Sequence, residues 1–309
     1  MVGKKYRPAV LAALWVALLA MLAAGCGAGA GAGPGPGTGT LVYTTIFPVY
    51  DFTSNVCGDR ARVVQLVPDG AEPHDWEPSP RDVAGLKQAD VFIYNGAGME
   101  AWVDKLLRAQ ENSQVLAVDC SAGAELLPAP GGKGVDPHIW LDPLNAALMV
   151  DNIARAMQQA DPANAAYYRE NAGRYKARLE ELHEKYAATL AKAKLRKFVV
   201  SHAAFGYLAR RYGLEQVAVL GISPSAAPGP ARMAEIIETV RREGIKYIFC
   251  ETLVSTRVPD IIAKEAGVKT LVLNPLGGIT SRERRAGRDY LSIMEENLHN
   301  LSLALEVQK

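Results

Sequence analysis

Short runs of β-branched and aromatic residues alternate with amphipathic segments along this chain, and the alternation occurs twice. The predicted strands of the first half are Leu41–Ile46, Arg62–Val67, Val91–Asn95 and Val115–Val118. Those of the second half are Phe198–Ser201, Gln216–Leu220, Lys246–Glu251 and Thr270–Leu273. Such alternation is typical of parallel sheets covered by helices. Because the chain has 309 residues, we predict an α/β protein with two lobes.

A long helix is predicted between the two halves. Asp161 can cap its start, and Pro162 suits the first helical position because the amide hydrogen that proline lacks is unpaired there. Apolar side chains then recur on one face at Tyr168, Tyr175, Leu179, Leu182, Tyr186 and Leu190. The predicted divisions are an N-terminal lobe over 41–161, a linking helix over 162–195 and a C-terminal lobe over 196–309. Because a single stiff helix joins the lobes, we expect ligand capture to involve small motions.

The N-terminal region predicts export and a lipid anchor. Basic residues precede an uncharged, mostly apolar run over 9–24, which is typical of a secretory signal and shorter than the roughly 20 residues of a spanning helix. Leu22–Cys26 resembles the lipobox of bacterial lipoproteins, although its leucine lies four places before the cysteine instead of three. We predict that residues 1–25 are removed, that Cys26 carries the lipid, and that residues 26–40 form a flexible tether. An ordinary cleaved signal is the alternative.

Charge and cysteine content indicate neither nucleic-acid binding nor a cysteine-based metal site. Removing the signal takes away three basic residues and no acidic ones, so the net charge falls from +1 to −2. No basic surface for nucleic acid is indicated. Besides Cys26 the chain contains Cys57, Cys120 and Cys250, whose spacing fits no metal-binding motif. We expect buried thiols, with one disulfide as the alternative.

Three histidines follow predicted strands. His74 lies in a proline-rich loop, His138 lies between Pro137 and Pro143, and His202 directly follows a strand. In open α/β sheets, ligands bind beyond the carboxyl ends of the strands. Three imidazoles brought together suit a borderline divalent cation such as zinc. We therefore predict that these histidines bind one metal ion in a cleft between the lobes.

Neighbouring residues supply partners for these histidines. Asp136 and Asp142 are predicted to accept a hydrogen bond from the ring of His138. A closed tetrahedral site requires a fourth ligand, and Asn274 occupies the corresponding position after the last predicted strand. Glu251, at the end of another strand, is the acidic alternative.

The remaining candidate residues favour binding over catalysis. His183 and His299 lie among polar residues of predicted helices, and neither has a second ligand at a suitable spacing, so we exclude both. A zinc hydrolase is the main alternative, since three histidines with an open fourth position are also a catalytic arrangement. Asp75 or Glu77 would then serve as general base. No nucleophile or oxyanion motif accompanies the histidines.

Four segments together resemble the cluster 9 (A-I, TroA/ZnuA-like) metal-binding lipoproteins, the substrate-binding proteins of bacterial ABC importers. They are Glu72–Pro78, Asp136–Pro143, Ser201–Phe205 and Asn274–Gly277, and the resemblance covers the chain from Leu41 onward. It implies two Rossmann-like lobes with parallel sheets, joined by one long α-helix, with the metal between them. It further implies high-affinity capture of an extracytoplasmic divalent metal and delivery to a permease and its ATPase. We expect a monomer anchored to the bacterial cell membrane.

The resemblance also implies which metal is transported. Histidine at position 202 is similar to the zinc-type members, whereas manganese-type members tend to carry glutamate there; capture of Mn²⁺ or Fe²⁺ is the alternative within the family. The family's fourth ligand is an aspartate where this chain has Asn274, which predicts weaker metal retention or a water in that place. Residues 121–135 contain no histidine-rich loop, and Ser225 and Ala227 stand where acidic residues are usual. Some relatives are adhesins, and a surface anchor permits that role.

Overall fold

The computed structural model describes residues 39–109, 114–132, 134–225 and 227–308. Thr40–Lys309 forms one compact unit. The predicted signal, the lipidated Cys26 and nearly all of the tether lie outside the described residues. Within the part of the chain that is described, no helix has the length and apolar character needed to cross a membrane.

A four-stranded parallel sheet forms the N-terminal lobe. Its strands are β1 (Thr40–Thr44), β2 (Ala61–Gln65), β3 (Val91–Tyr94) and β4 (Leu116–Asp119), in the order β2-β1-β3-β4. The register pairs Val42 with both Val63 and Val91. The helices of this lobe are α1 (Phe47–Cys57), α2 (Pro80–Leu86), α3 (Val103–Ala109) and α4 (Pro143–Ala160). Helices cover the sheet, which explains why its strands are rich in β-branched and aromatic residues.

The C-terminal lobe repeats this topology. Its parallel strands are β5 (Lys197–Val200), β6 (Glu215–Ala218), β7 (Tyr247–Cys250) and β8 (Lys269–Val272), in the order β6-β5-β7-β8. Its helices are α6 (Gly206–Tyr212), α7 (Pro230–Arg242), α8 (Arg257–Ala266), α9 (Ser281–Arg285) and α10 (Tyr290–Ala304). The predicted fold class, α/β with two parallel sheets and a long helix, is confirmed. The exact lobe boundaries stay predictions.

Helix α5 (Ala165–Leu190) is the long helix, and a 3₁₀ turn over Pro162–Asn164 precedes it. The six apolar residues predicted to share a face are all buried. This face contacts both lobes, because Tyr175 Oη donates to Asp51 Oδ1 of α1 at 2.8 Å and Tyr186 Oη donates to the Met294 carbonyl of α10 at 2.6 Å. With 26 residues the helix is roughly 39 Å long.

The long helix ends earlier than the sequence predicts. It stops at Leu190: the amides of Lys192 and Ala193 bond to carbonyls only three residues back, and those of Lys194 and Leu195 bond to the carbonyl of Leu305. A single hydrophobic core includes this helix, helix α1 and strand β5. The two lobes therefore share packed side chains along the length of α5.

Candidate metal centre

The three histidines that we predicted to bind metal lie close together between the lobes. Nε2 of His74 lies 3.1 Å from Nε2 of His138, and Nε2 of His202 lies 3.3 Å from the same atom. The ligand atoms of all three lie within 4.8 Å of one another. Zinc binds imidazole nitrogen at about 2.0–2.1 Å, so nitrogens at tetrahedral positions around it are about 3.3 Å apart. The spacing of the three side chains fits one small cation.

Each histidine is held by a short, stiff segment after a strand. His74 lies in a 3₁₀ turn over Pro73–Asp75 that follows β2, and the Glu72 carboxylate accepts a hydrogen bond from its backbone amide at 3.3 Å. His138 immediately precedes another 3₁₀ turn over Ile139–Leu141. His202 comes two residues after the end of β5. The ligand position beyond the carboxyl ends of parallel strands agrees with the prediction from topology.

Buried carboxylates fix two of the imidazole rings. Nδ1 of His138 lies 2.8 Å from Oδ1 of Asp136, and Nδ1 of His202 lies 2.7 Å from Oε1 of Glu251. In its ionised form a carboxylate only accepts hydrogen bonds, so the ring beside it then carries its proton on Nδ1 and directs the lone pair of Nε2 towards the other histidines. Both rings are 1% exposed. This is the arrangement that prepares an imidazole for a cation.

The structure assigns three of the neighbouring acidic residues. Asp136 contacts His138 as the sequence predicts. Asp142 does not contact His138, which corrects our expectation: it caps α4 by accepting from the Leu144 amide at 3.0 Å and pairs with Arg211 at 2.7 Å. Glu251, the alternative fourth ligand, uses its carboxylate to hold His202. Helix capping satisfies the free amides of α4, and this explains why Asp142 points away from the site.

Burial keeps His74 and His138 neutral. Removal from water is the main cause that lowers the pKa of His74 to about 3, and the neighbouring His138 and His202 contribute to the same shift. Burial likewise lowers the pKa of His138 well below its usual value, with His202 adding to the shift. Burial raises the pKa of Asp136 to about 7. Neutral imidazoles keep their lone pairs free at physiological pH, so they are in the form that binds metal.

Asn274 lies in the wall of the same cavity. Its Oδ1 accepts from the Leu276 amide at 2.8 Å, and its Nδ2 donates to Glu283 Oε1 at 3.2 Å. The structure therefore brings Asn274 to the site, with its amide oxygen already engaged in a turn.

Apolar residues that sequence reasoning did not identify complete the cavity. Met99, Trp140, Leu253 and Pro275 line it together with the histidines. Trp140 is fully buried, lies 5.2 Å from the His138 ring between centroids, and donates from Nε1 to the Pro275 carbonyl at 2.8 Å. The position of Trp140 two residues after His138 is a local signal that could have identified it.

The other residues considered from sequence lie elsewhere. His183 is half-buried, and its Nδ1 lies 3.2 Å from Tyr212 Oη, whereas His299 is exposed. The described cysteines are free and buried, as expected of apolar thiols, and they are Cys57, Cys120 and Cys250. Ser225 donates from its hydroxyl to Asp75 Oδ1 at 2.6 Å, so loops of the two lobes meet beside His74.

Two parallel sheets joined by one long helix, with three histidines converging beyond their strand ends, define a two-lobed protein with a site for a divalent metal. The chain belongs to the family described as zinc-uptake complex component A, periplasmic (ZnuA), whose model matches residues 42–304. The family predicted from the four sequence segments is thereby confirmed.

Two of the similar proteins come from different bacteria. The chain is 41% identical to the zinc-binding lipoprotein AdcA of Streptococcus pneumoniae over 275 aligned residues. The alignment covers 84% of this chain and 54% of AdcA. It is 37% identical to the high-affinity zinc uptake system protein ZnuA of Bacillus subtilis over 280 aligned residues. This alignment covers 86% of this chain and 88% of the relative. The chain thus spans about half the length of AdcA. The solved Zn(II)-bound ZnuA-like domain of AdcA from Streptococcus pneumoniae matches with a TM-score of 0.79 and 42% identity, over 87% of this chain and 99% of that domain.

Proposed function

We propose that this protein captures Zn²⁺ outside the cytoplasm and delivers it to the permease of an ABC importer. The observation that carries the proposal is the convergence of three imidazole Nε2 atoms, two of which lie 3.1 and 3.3 Å from the third. Imidazole nitrogen suits zinc, whereas Mn²⁺ prefers carboxylate oxygen. The names of the relatives, a zinc-binding lipoprotein and a component of a zinc uptake system, support the same metal.

The charge around the site supports a divalent cargo. Burial lowers the pKa of His74 and of His138, so these two rings are neutral donors. Asp136 and Glu251 lie directly behind His138 and His202 and are 2% and 5% exposed. Buried charges are costly unless they are compensated. One dication balances two carboxylates, so metal binding removes an unfavourable local charge.

We propose Asn274 for the fourth side of the ion. To coordinate, its Oδ1 must share its lone pairs with the Leu276 amide, from which it already accepts a hydrogen bond. An amide oxygen is neutral and binds zinc less strongly than a carboxylate. We therefore expect zinc to be retained mainly by the histidines.

The small, apolar site supports capture more than hydrolysis. The two candidate bases of a hydrolase are engaged elsewhere or exposed: Asp75 accepts from Ser225, and Glu77 is exposed to solvent. Neither of them lines the cavity that the histidines form. His138 and His202 are almost fully buried, which leaves little room for an organic substrate.

The proposed location is the outer face of the cell membrane. Cleavage after residue 25 would leave Cys26 as the lipidated N-terminus, and the tether over 26–40 would let the lobes reach the permease and its ATPase. The lipoprotein AdcA supports this arrangement.

Calorimetric titration of the purified full chain with Zn²⁺ and Mn²⁺ tests the proposal. We expect one tight zinc equivalent and weaker manganese binding. The His202→Ala variant should lose roughly a factor of one hundred or more in zinc affinity, because it removes one of the three imidazole ligands. The exposed His299→Ala serves as matched control and should bind like the wild type. Absence of stoichiometric zinc binding in the wild type would refute the proposal.

A further inference from the structure

One segment of the C-terminal lobe crosses onto the N-terminal lobe beside the histidines. This segment, which we name the strap, is Asn274–Arg285 and follows β8. Its backbone carbonyls accept hydrogen bonds from the N-terminal lobe: Gly277 from the Phe47 amide at 3.2 Å and Ile279 from the Gly70 amide at 2.9 Å. The strap therefore pairs directly with the loop 68–79 that carries His74.

The strap approaches that loop too closely for larger residues. A Cβ atom on Gly277 would lie 3.2 Å from Cγ of Pro73. On Gly278 it would lie 2.7 Å from Leu253 and 3.0 Å from the carbonyl oxygen of Ala71. Two consecutive glycines thus let one backbone pack against the residues immediately before His74.

Arg284 is the main polar contact of the strap with the N-terminal lobe. Its Nε and Nη2 donate to both carboxylate oxygens of Asp69 at 2.7–2.9 Å, and Nη2 also donates to Gln65 Oε1 at 2.7 Å. The guanidinium lies 5.0 Å from the ring centroid of Tyr50 and 5.7 Å from that of Phe47. A bidentate, aromatic-stacked arginine is geometrically more demanding than an ordinary surface ion pair.

The helix that carries Arg284 is connected by hydrogen bonds to the metal site. Helix α9, which carries Arg284, begins with a capping box between Thr280 and Glu283. Glu283 in turn accepts from the side chain of Asn274 in the cavity wall. On the other side, Asp69 lies at the start of the loop that presents His74. Continuous contacts thus connect the wall at Asn274 to the histidine on the opposite lobe.

His74 is the ligand that most needs such support. His138 and His202 are 1% exposed and have buried carboxylate partners, whereas His74 is only partly buried. A ligand on a partly exposed loop is the one that can leave first when the metal is released. Its position depends on how firmly the loop is held.

We infer that Arg284 is a positioning residue that holds the His74 loop in its metal-binding conformation through Asp69 and so sets the rate at which the ion is released. This inference rests on the proposed capture of zinc. It assigns to the strap a control of release that the three histidines alone do not provide.

The test measures zinc dissociation from the full chain by transfer to a chromogenic chelator, extrapolated to zero chelator concentration. We expect Arg284→Ala and Asp69→Asn each to release zinc at least tenfold faster than the wild type. The double variant should be no faster than Arg284→Ala alone, because that variant already removes the contact with Asp69. The zinc release rate of Arg284→Lys should lie between those of the wild type and Arg284→Ala, since lysine cannot bond both Asp69 oxygens and Gln65 together. This variant replaces Arg284→Ala in the test if the alanine variant does not fold.

Arg288→Ala is the matched control. The Arg288 side chain is 33% exposed, against 34% for Arg284, and it pairs with Glu296, away from the loop of His74. Amide exchange in residues 69–76 of the metal-free protein should increase in Arg284→Ala and stay unchanged in Arg288→Ala. Zinc release from Arg284→Ala within twofold of wild type, or equal acceleration in both variants, would overturn the inference. A wild type that binds no zinc would instead refute the proposed function.

Discussion

Replacing Asp136 by asparagine isolates the contribution of the carboxylate behind His138. In the wild type, Asp136 Oδ1 lies 2.8 Å from Nδ1 of His138 and accepts from the His138 backbone amide at 3.0 Å. Asparagine keeps an oxygen that can accept both hydrogen bonds, but it removes the negative charge. Through the imidazole ring this carboxylate would lie about 7 Å from a bound dication, where the attraction is roughly 5 kcal/mol at an effective dielectric constant of about 20. Part of that attraction is offset because the metal-free protein has to keep the charge buried.

The expected loss in zinc affinity is therefore smaller than the full attraction. Removing such a partner of a metal-binding histidine typically costs 10- to 100-fold in affinity, or about 1.4–2.7 kcal/mol.

The same substitution should increase the stability of the metal-free protein. Burial raises the pKa of Asp136 to about 7, so the unfolded chain gives up this proton at lower pH than the folded chain and stability falls as pH rises from about 4 to 7. At pH 8 the metal-free Asp136→Asn variant should be more stable than the wild type.

Calorimetric zinc titration and urea unfolding of the metal-free protein at pH 8 measure the two effects. Asp142→Asn is the control, because Asp142 is equally buried in the same segment but contacts α4 and Arg211. It should lower stability through loss of the ion pair with Arg211, since asparagine can still cap α4, while leaving zinc affinity nearly unchanged. Zinc affinity of Asp136→Asn within twofold of the wild type would refute the role of the carboxylate.

Three further predictions concern separate parts of the structure. Asn274→Asp should bind zinc about tenfold more tightly, because a carboxylate is the stronger ligand, and should destabilise the metal-free protein by placing a charge beside Glu283; equal affinity in titration would show that this position does not coordinate. Burial raises the pKa of Asp51 to about 6, so stability should fall by up to about 3 kcal/mol as pH rises from about 4 to 6, and urea unfolding of Asp51→Asn should lack this fall. Gly278→Ala would bring a methyl group 3.0 Å from the backbone of the loop that carries His74 and should weaken zinc binding. Gly173→Ala, on the open face of α5, should raise the melting temperature without changing zinc affinity. Equal zinc affinity in both glycine variants would contradict the close packing at Gly278.

The shared core supports the expectation of small motions on metal capture. Side chains of both lobes pack on helix α5, and Tyr290 Oη of the C-terminal lobe donates to the Trp140 carbonyl beside the site. Wide opening would break these contacts together. The expectation stays a prediction that small-angle scattering with and without zinc can test through the radius of gyration.

The sequence determined the features that depend on local pattern. Strand positions followed from β-branched runs, and the buried face of α5 followed from the three- and four-residue spacing of its tyrosines and leucines. The three histidines were identified because each lies in a short segment stiffened by proline or placed directly after a strand. Helix α1 had no such pattern, since most of its residues are buried and it lacks a polar stripe.

Only the tertiary structure decided which residues support the histidines. Glu251 holds His202 from 49 positions away, and Arg284 holds Asp69 from 215 positions away. Asp142 looked like a partner of His138 from its position in sequence, yet the start of α4 requires it as a cap. Hydrogen bonds between distant segments depend on how two sheets and a helix pack, and no local spacing encodes that packing.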